Sequence, residues 1–179
     1  MSTQRPGHGF RRRAASILGA AAALSLVLAP AAQAARCASP EDQAVFEVEA
    51  LKTELMVVAT TCKGQNEDRY NAFVTRYRPA LVESNRRIGQ YFQRVHGRNG
   101  QRQNDVFITE LANARSNVAR QLGSDYCVRN AGLFEEVMAL PSVTELPPYA
   151  ATKDLLASGV TACPSGSPAA PAQRTSSRR

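Results

Sequence analysis

The chain has no tryptophan, and its 179 residues include only two histidines, three methionines and four cysteines. Histidine is the most informative of these scarcities. His8 lies near the start, so His96 is the single imidazole of the remaining chain. Zinc sites built on several histidines are excluded, as are bundles that hold two irons through Glu-x-x-His pairs. A Ser-His-Asp or Cys-His catalytic arrangement would have to use His96. That residue stands beside Gly97 at the end of a helical pattern, where the helix dipole favours a cation. A haem held by His and Met would need Met138 to face His96 across the core, because Met56 falls at the other end.

Several short motifs are missing too. There is no Cys-x-x-Cys, so neither a thioredoxin-like redox site nor covalent haem attachment is expected. Gly-x-x-x-x-Gly-Lys, Gly-x-Gly-x-x-Gly and Gly-x-Ser-x-Gly are absent, which removes support for a phosphate loop, a dinucleotide fold or a hydrolase elbow. No repeat of about 20–50 residues is apparent. No catalytic residue, metal ligand or cofactor is assigned.

The net charge of +7 and the pI near 9.7 mislead. Residues 1–34 carry four Arg and no acid, and residues 164–179 carry three Arg and no acid. Residues 35–163 hold 15 basic and 15 acidic groups, so the expected folded part is neutral. A specific nucleic-acid binder needs a net basic footprint, and none is expected here.

What is present begins with an export layout. Arg11, Arg12 and Arg13 precede an apolar run of 16 residues, Ala14–Ala29, and then Pro30 and Ala32-Gln33-Ala34. A basic stretch, a short apolar run and a small-x-small site predict a signal peptide, residues 1–34, cleaved after Ala34. The run is too short and Ala-rich for a membrane-spanning helix, so no integral span is expected after cleavage. Arg36 before Cys37 excludes lipoprotein acylation, and Ala14-Ala15-Ser16 fits a twin-arginine signal poorly. The expected location is periplasmic or secreted. Cys37, Cys62, Cys127 and Cys163 all lie in the mature part, and an even count in an oxidising space predicts two disulfides.

The mature chain predicts an all-α fold, a four-helix up-down-up-down bundle over residues 35–163. Ser39 and Pro40 open a first helix of about residues 40–62, with Val48, Leu51, Leu55, Val58 and Cys62 as its apolar stripe. Asn66 is expected to cap a second helix reaching Val95, kinked or split at Pro79. Asn104 is expected to cap a third, ending at Gly123, and a fourth would run from Ser124 or Asp125 to just before Pro141. Residues 141–163 are less regular, with one short helix expected within 149–158. Residues 164–179 have no apolar pattern to bury and predict a disordered tail.

This topology selects the cysteine pairing. The first helix is about 30 Å long at 1.5 Å per residue, and a disulfide needs Cα atoms within about 7 Å. Cys37 then lies at one end and Cys62 and Cys127 at the other. The surviving pairs are Cys62–Cys127 and Cys37–Cys163.

Charge is the most uneven feature. Glu41–Glu54 holds five acids against Lys52, whereas Arg69–Arg102 holds eight Arg and one acid, Glu83. Arg69, Arg76, Arg78, Arg86, Arg87 and Arg94 interleave with Tyr70, Tyr77, Tyr91 and Phe92. They are the candidate binding surface, suited to a polyanion such as lipopolysaccharide, an acidic glycan or nucleic acid. Arg86 and Arg87 should point away from the stripe of Leu81 and Ile88. The rings could equally be core residues flanked by arginines paired with the acidic first helix. Glu47, Glu49, Glu54, Glu135 and Glu136 could in principle support glycan hydrolysis. No spacing marks an acid and a nucleophile among them, and solvated helix faces are expected. The layout resembles small exported helical proteins of bacterial envelopes. The function expected is therefore non-enzymatic binding of another envelope component, a protein or an anionic polymer, through a helix face. The alternatives are a polyanion-binding module and a cell-wall glycan-acting enzyme.

Overall fold

The computed structural model describes residues 37–156 and 160–164, and the expected leader 1–34 and the tail beyond residue 164 lie outside them. Among the described residues the fold is a helical bundle without strands, stapled by two disulfides. The long helices are α1 (Pro40–Thr61), α2 (Asn66–His96) and α3 (Gly100–Leu122). Short helices follow: α4 (Ser124–Arg129), α5 (Leu133–Met138) and α6 (Leu146–Ala151).

Helix α1 starts as its sequence requires. The Ser39 side chain accepts from the Asp42 N–H, the Asp42 carboxylate accepts from the Ser39 N–H, and Pro40 occupies the first helical position. The helix is buried well beyond the expected stripe. Phe46 and Val57 are covered as well as Leu51, Leu55 and Val58, because α2, α3 and α6 all pack on it. Asp42 meets Arg94 at 2.6 Å, so α1 and α2 run antiparallel. Phe107 packs on Phe46 and Arg115 meets Glu54, so α3 runs with α1.

The core has two parts. The lower one joins Phe46, Tyr91 and Phe92, with Phe107 against them, in edge-on ring contacts between centroids 5.0–5.9 Å apart. The upper one gathers Leu51, Leu55, Phe73, Tyr77, Tyr126, Phe134, Val137 and Leu146. Between them the buried Ser84 hydroxyl donates to the Val45 carbonyl at 2.9 Å.

Five local expectations need correction. Asn66 is inside α2, not its cap; its amide donates instead to the Lys63 carbonyl at 3.2 Å. Helix α2 continues through Pro79, so it is not split there. Asn104 is inside α3, which starts at Gly100 directly after a short 3-10 turn, Gly97–Asn99. The reversal is that tight because Gly100 has no Cβ: one would stand 2.6 Å from the Gln93 Cα. The fourth helix divides into α4 and α5. The Asn130 side chain donates to the Tyr126 carbonyl at 2.9 Å, competing with helix propagation, and Gly132 follows. A lost helical hydrogen bond costs about 1 kcal/mol, whereas burying Phe134 or Val137 contributes roughly 1.5–3 kcal/mol each, so packing decides. Last, the short helix near residue 149 begins earlier, at Leu146, because Pro147 and Pro148 fit a first turn whose N–H groups are unused.

Beyond α6 the chain returns to the start of α1. Ala38 N–H donates to Thr161 at 2.8 Å and Cys163 N–H to Ala38 at 2.9 Å, in a single parallel bridge. The Cys37–Cys163 disulfide closes this end, with Cα atoms 4.9 Å apart, and Cys62–Cys127 closes the other, at 5.6 Å.

Candidate functional site

The arginines of α2 do not form one patch. Arg69, Arg76, Arg87 and Arg94 recur at intervals of 7, 11 and 7 residues, which places them on one flank of the helix. Three of the four meet partners on other elements. Arg69 pairs with Glu135 at 2.8 Å, Arg76 donates to the Leu140 carbonyl at 2.6 Å, and Arg94 pairs with Asp42. The Arg76 and Arg94 guanidiniums also lie over the Tyr77 and Tyr91 rings, 5.5 and 5.3 Å from their centroids. Arg86 chelates Glu83 through 2.5 and 2.8 Å contacts, and hydrogen bonds from Arg86 hold that carboxyl below its usual range, with Arg87 adding to the effect. Arg78 and Arg87 make no ion pair among the described residues. Tyr77, Tyr91 and Phe92 are buried, so these rings belong to the core rather than to a stacking surface.

The carboxylates divide differently from expectation. Glu49 and Glu54 are 2 % and 1 % exposed, not on solvated faces. Arg115 donates to Glu54 at 2.6 Å, and the fully buried Tyr126 hydroxyl lies in the field of that pair without a well-formed hydrogen bond among the described residues. Burial, reinforced by Glu54, pushes the Tyr126 phenol far above its usual range. Glu49 pairs with Lys52 at 2.6 Å; burial raises its carboxyl, Lys52 opposing. Glu54 is thus held by α3 and Glu49 by its own helix. Glu135 and Glu136 do remain exposed, and Glu136 accepts from Lys153 and from the Tyr149 hydroxyl.

His96 ends α2, exposed, with its ring stacked on Phe92 in the lower core. Met138 packs in the upper core, so the two do not face each other as a haem pair would require. Among the described residues no group of three His, Cys, Asp or Glu could hold a metal. No helix there is long and apolar enough to cross a membrane.

An open cleft of about 940 Å³ lies at the upper end, around the Cys62–Cys127 disulfide. Its walls come from the α1–α2 turn and from the α3–α4 junction. Gly64 and Gly123, at φ of 102° and 56°, hold those two turns in left-handed backbone that other residues avoid. Lys63, Arg69 and Arg120 line it, and among the described residues no Asp or Glu does. The sequence reading missed this cleft because its walls lie about 60 residues apart in the chain. The available signal was the cysteine pairing, since joining Cys62 to Cys127 necessarily brings those turns together.

Comparison with protein-family models, with curated proteins and with solved structures gives no match to this chain.

Proposed function

We propose that the chain is an exported protein of the cell envelope that acts by binding another envelope component, a protein or an anionic polymer, without catalysis. Residues 1–34 are its cleaved leader, the compartment is the periplasm or the exterior, and α4 and α5 together serve as the descending fourth leg of the bundle. One observation carries the reading. The carboxylates nearest to catalytic character, Glu49 and Glu54, are sealed in the core, while the cleft around the Cys62–Cys127 disulfide is lined by cations and, among the described residues, by no carboxylate or imidazole. Two disulfides suit an oxidising compartment.

The test is a native mass spectrum of the protein purified gently from its own envelope. A mass of residues 35–179 less four hydrogens, plus a retained envelope component, is expected. Peptidoglycan turnover that disappears on replacing a single glutamate would overturn the reading.

A second reading, polyanion binding by α2, draws on Arg78 and Arg87, which have no ion-pair partner among the described residues. It requires affinity for lipopolysaccharide or acidic glycan that falls steeply with salt and is abolished by charge reversal at Arg86 and Arg87.

A further inference from the structure

We infer that the cleft around the Cys62–Cys127 disulfide binds a small amphiphile carrying an anionic headgroup, such as an alkyl phosphate or carboxylate. The inference rests on the reading of the chain as a binding protein and names a ligand class for it. At about 940 Å³ the cleft is at the upper end of the roughly 300–1,000 Å³ typical of small-molecule sites. Its floor is apolar: Val58, Ala119 and the disulfide itself. Its cations have weak claims on them from within the fold. Lys63 is exposed and has no ion pair among the described residues. Among the described residues Arg120 donates to the neutral Asn117 side chain and makes no ion pair. Arg69 is paired with Glu135, but both side chains are about half exposed, and such a pair is worth about 0–1 kcal/mol, so a ligand anion can displace it.

Lys63 and Arg69 on one wall and Arg120 on the other concentrate the field in the cleft, where a counter-charge would sit. Arginine recognises carboxylate and phosphate through paired N–H donors, which fits the headgroup. The apolar floor beneath fits an alkyl body. A purely polar anion would leave that floor in water, and an apolar ligand would leave Lys63 and Arg120 without an anion among the described residues.

The experiment uses the purified, oxidised protein and monomeric decyl phosphate, followed by calorimetry and by amide shifts in ¹H–¹⁵N spectra. Saturable one-site binding is expected, with shifts centred on residues 61–66 and 116–127. Lys63→Glu with Arg120→Glu should weaken it at least tenfold, and the milder Lys63→Gln with Arg120→Gln should fall between. Both sites are exposed, and an intact disulfide map with unchanged helical circular dichroism checks that each variant folds. Decyltrimethylammonium should bind far more weakly, and so should inorganic phosphate. Equal binding of the cationic amphiphile, undiminished binding by the charge-reversal variant, or shifts centred elsewhere would overturn the inference. Vesicles containing phosphatidylglycerol separate two sources of the same chemistry. Vesicle capture lost in the variant identifies a bilayer headgroup, and binding of the monomer alone identifies a free amphiphile. If an envelope partner is retained while decyl phosphate binds neither protein, this inference falls and the broader reading stands.

Discussion

Arg115 of α3 reaches Glu54 of α1 at 2.6 Å inside the upper core, where the Glu54 side chain is 2 % exposed. Desolvating two charges consumes most of what their attraction returns, so the pair contributes little beyond what apolar side chains would. Removing one partner is different, because it leaves a buried charge without compensation. Arg115→Met should cost about 3–5 kcal/mol in urea unfolding of the oxidised protein. Adding Glu54→Leu should recover most of that loss. A double variant no more stable than the single one would show that the core needs the ions themselves.

Two glycines should respond in opposite directions. A Cβ at Gly100 would stand 2.6 Å from the Gln93 Cα and 2.8 Å from its nitrogen, both backbone atoms that cannot step aside. Gly100→Ala is expected to lose about 2–3 kcal/mol. Gly89, in mid-α2, has nothing within 4 Å of that position, and Gly89→Ala should gain about 0.5–1 kcal/mol. Thermal denaturation of both variants checks the contrast.

The two disulfides should matter about equally. They close separations of 65 and 126 residues, and loop entropy grows only logarithmically, so the longer loop adds about 0.6 kcal/mol. Replacing either pair by alanines is expected to cost about 2–5 kcal/mol. Peptide mapping of the unreduced protein should recover Cys37 with Cys163 and Cys62 with Cys127, and any other linkage would contradict the fold.

Stability should also carry an acid-side signature. Burial raises the Glu49 carboxyl, against the pull of Lys52, and burial with Asp154 raises Glu47. A carboxyl raised above its unfolded value keeps its proton longer in the folded state. The folded protein is then unpenalised below the ordinary carboxylate range, and loses stability as pH rises through the raised values. Glu49→Gln removes one such group, so its stability relative to the unsubstituted protein should rise between pH 4 and pH 7. Glu136, held low by hydrogen bonds from Lys153 and Tyr149, works in the opposite sense and loses its contribution as pH falls. Urea midpoints at several pH values measure both, and a pH-independent difference for Glu49→Gln would refute the first.

Much of the helical framework was legible residue by residue. Ser39-Pro40 marks a start because a side-chain oxygen and a missing N–H suit a first turn, whatever surrounds them. The long apolar periodicities of α1, α2 and α3 mark helices because 3.6-residue spacing is a local property. The disulfide pairing followed from helix lengths and directions alone, since Cα atoms 30 Å apart cannot be bridged. The interruption at Asn130–Gly132 was also written locally, in an amide that competes for the Tyr126 carbonyl, but the continuing apolar pattern through Phe134 and Val137 outweighed it in the reading.

The candidate site was much less legible, because charge in a sequence has no partner until the chain folds. Arg69, Arg76 and Arg94 read as one free surface in one dimension, and in three Glu135, Leu140 and Asp42 each engage one of them. Glu49 and Glu54 read as solvated, because nothing local reveals that α1 is covered by neighbours on nearly every side. Sequence by itself determined the helices, the neutral folded region and the cysteine pairs, all set by covalent spacing and short-range hydrogen bonding. Tertiary structure alone decided which charges are spent within the core and which remain, as at Lys63 and Arg120, around an open cleft. Pairing and burial depend on distances between segments that lie far apart in the chain.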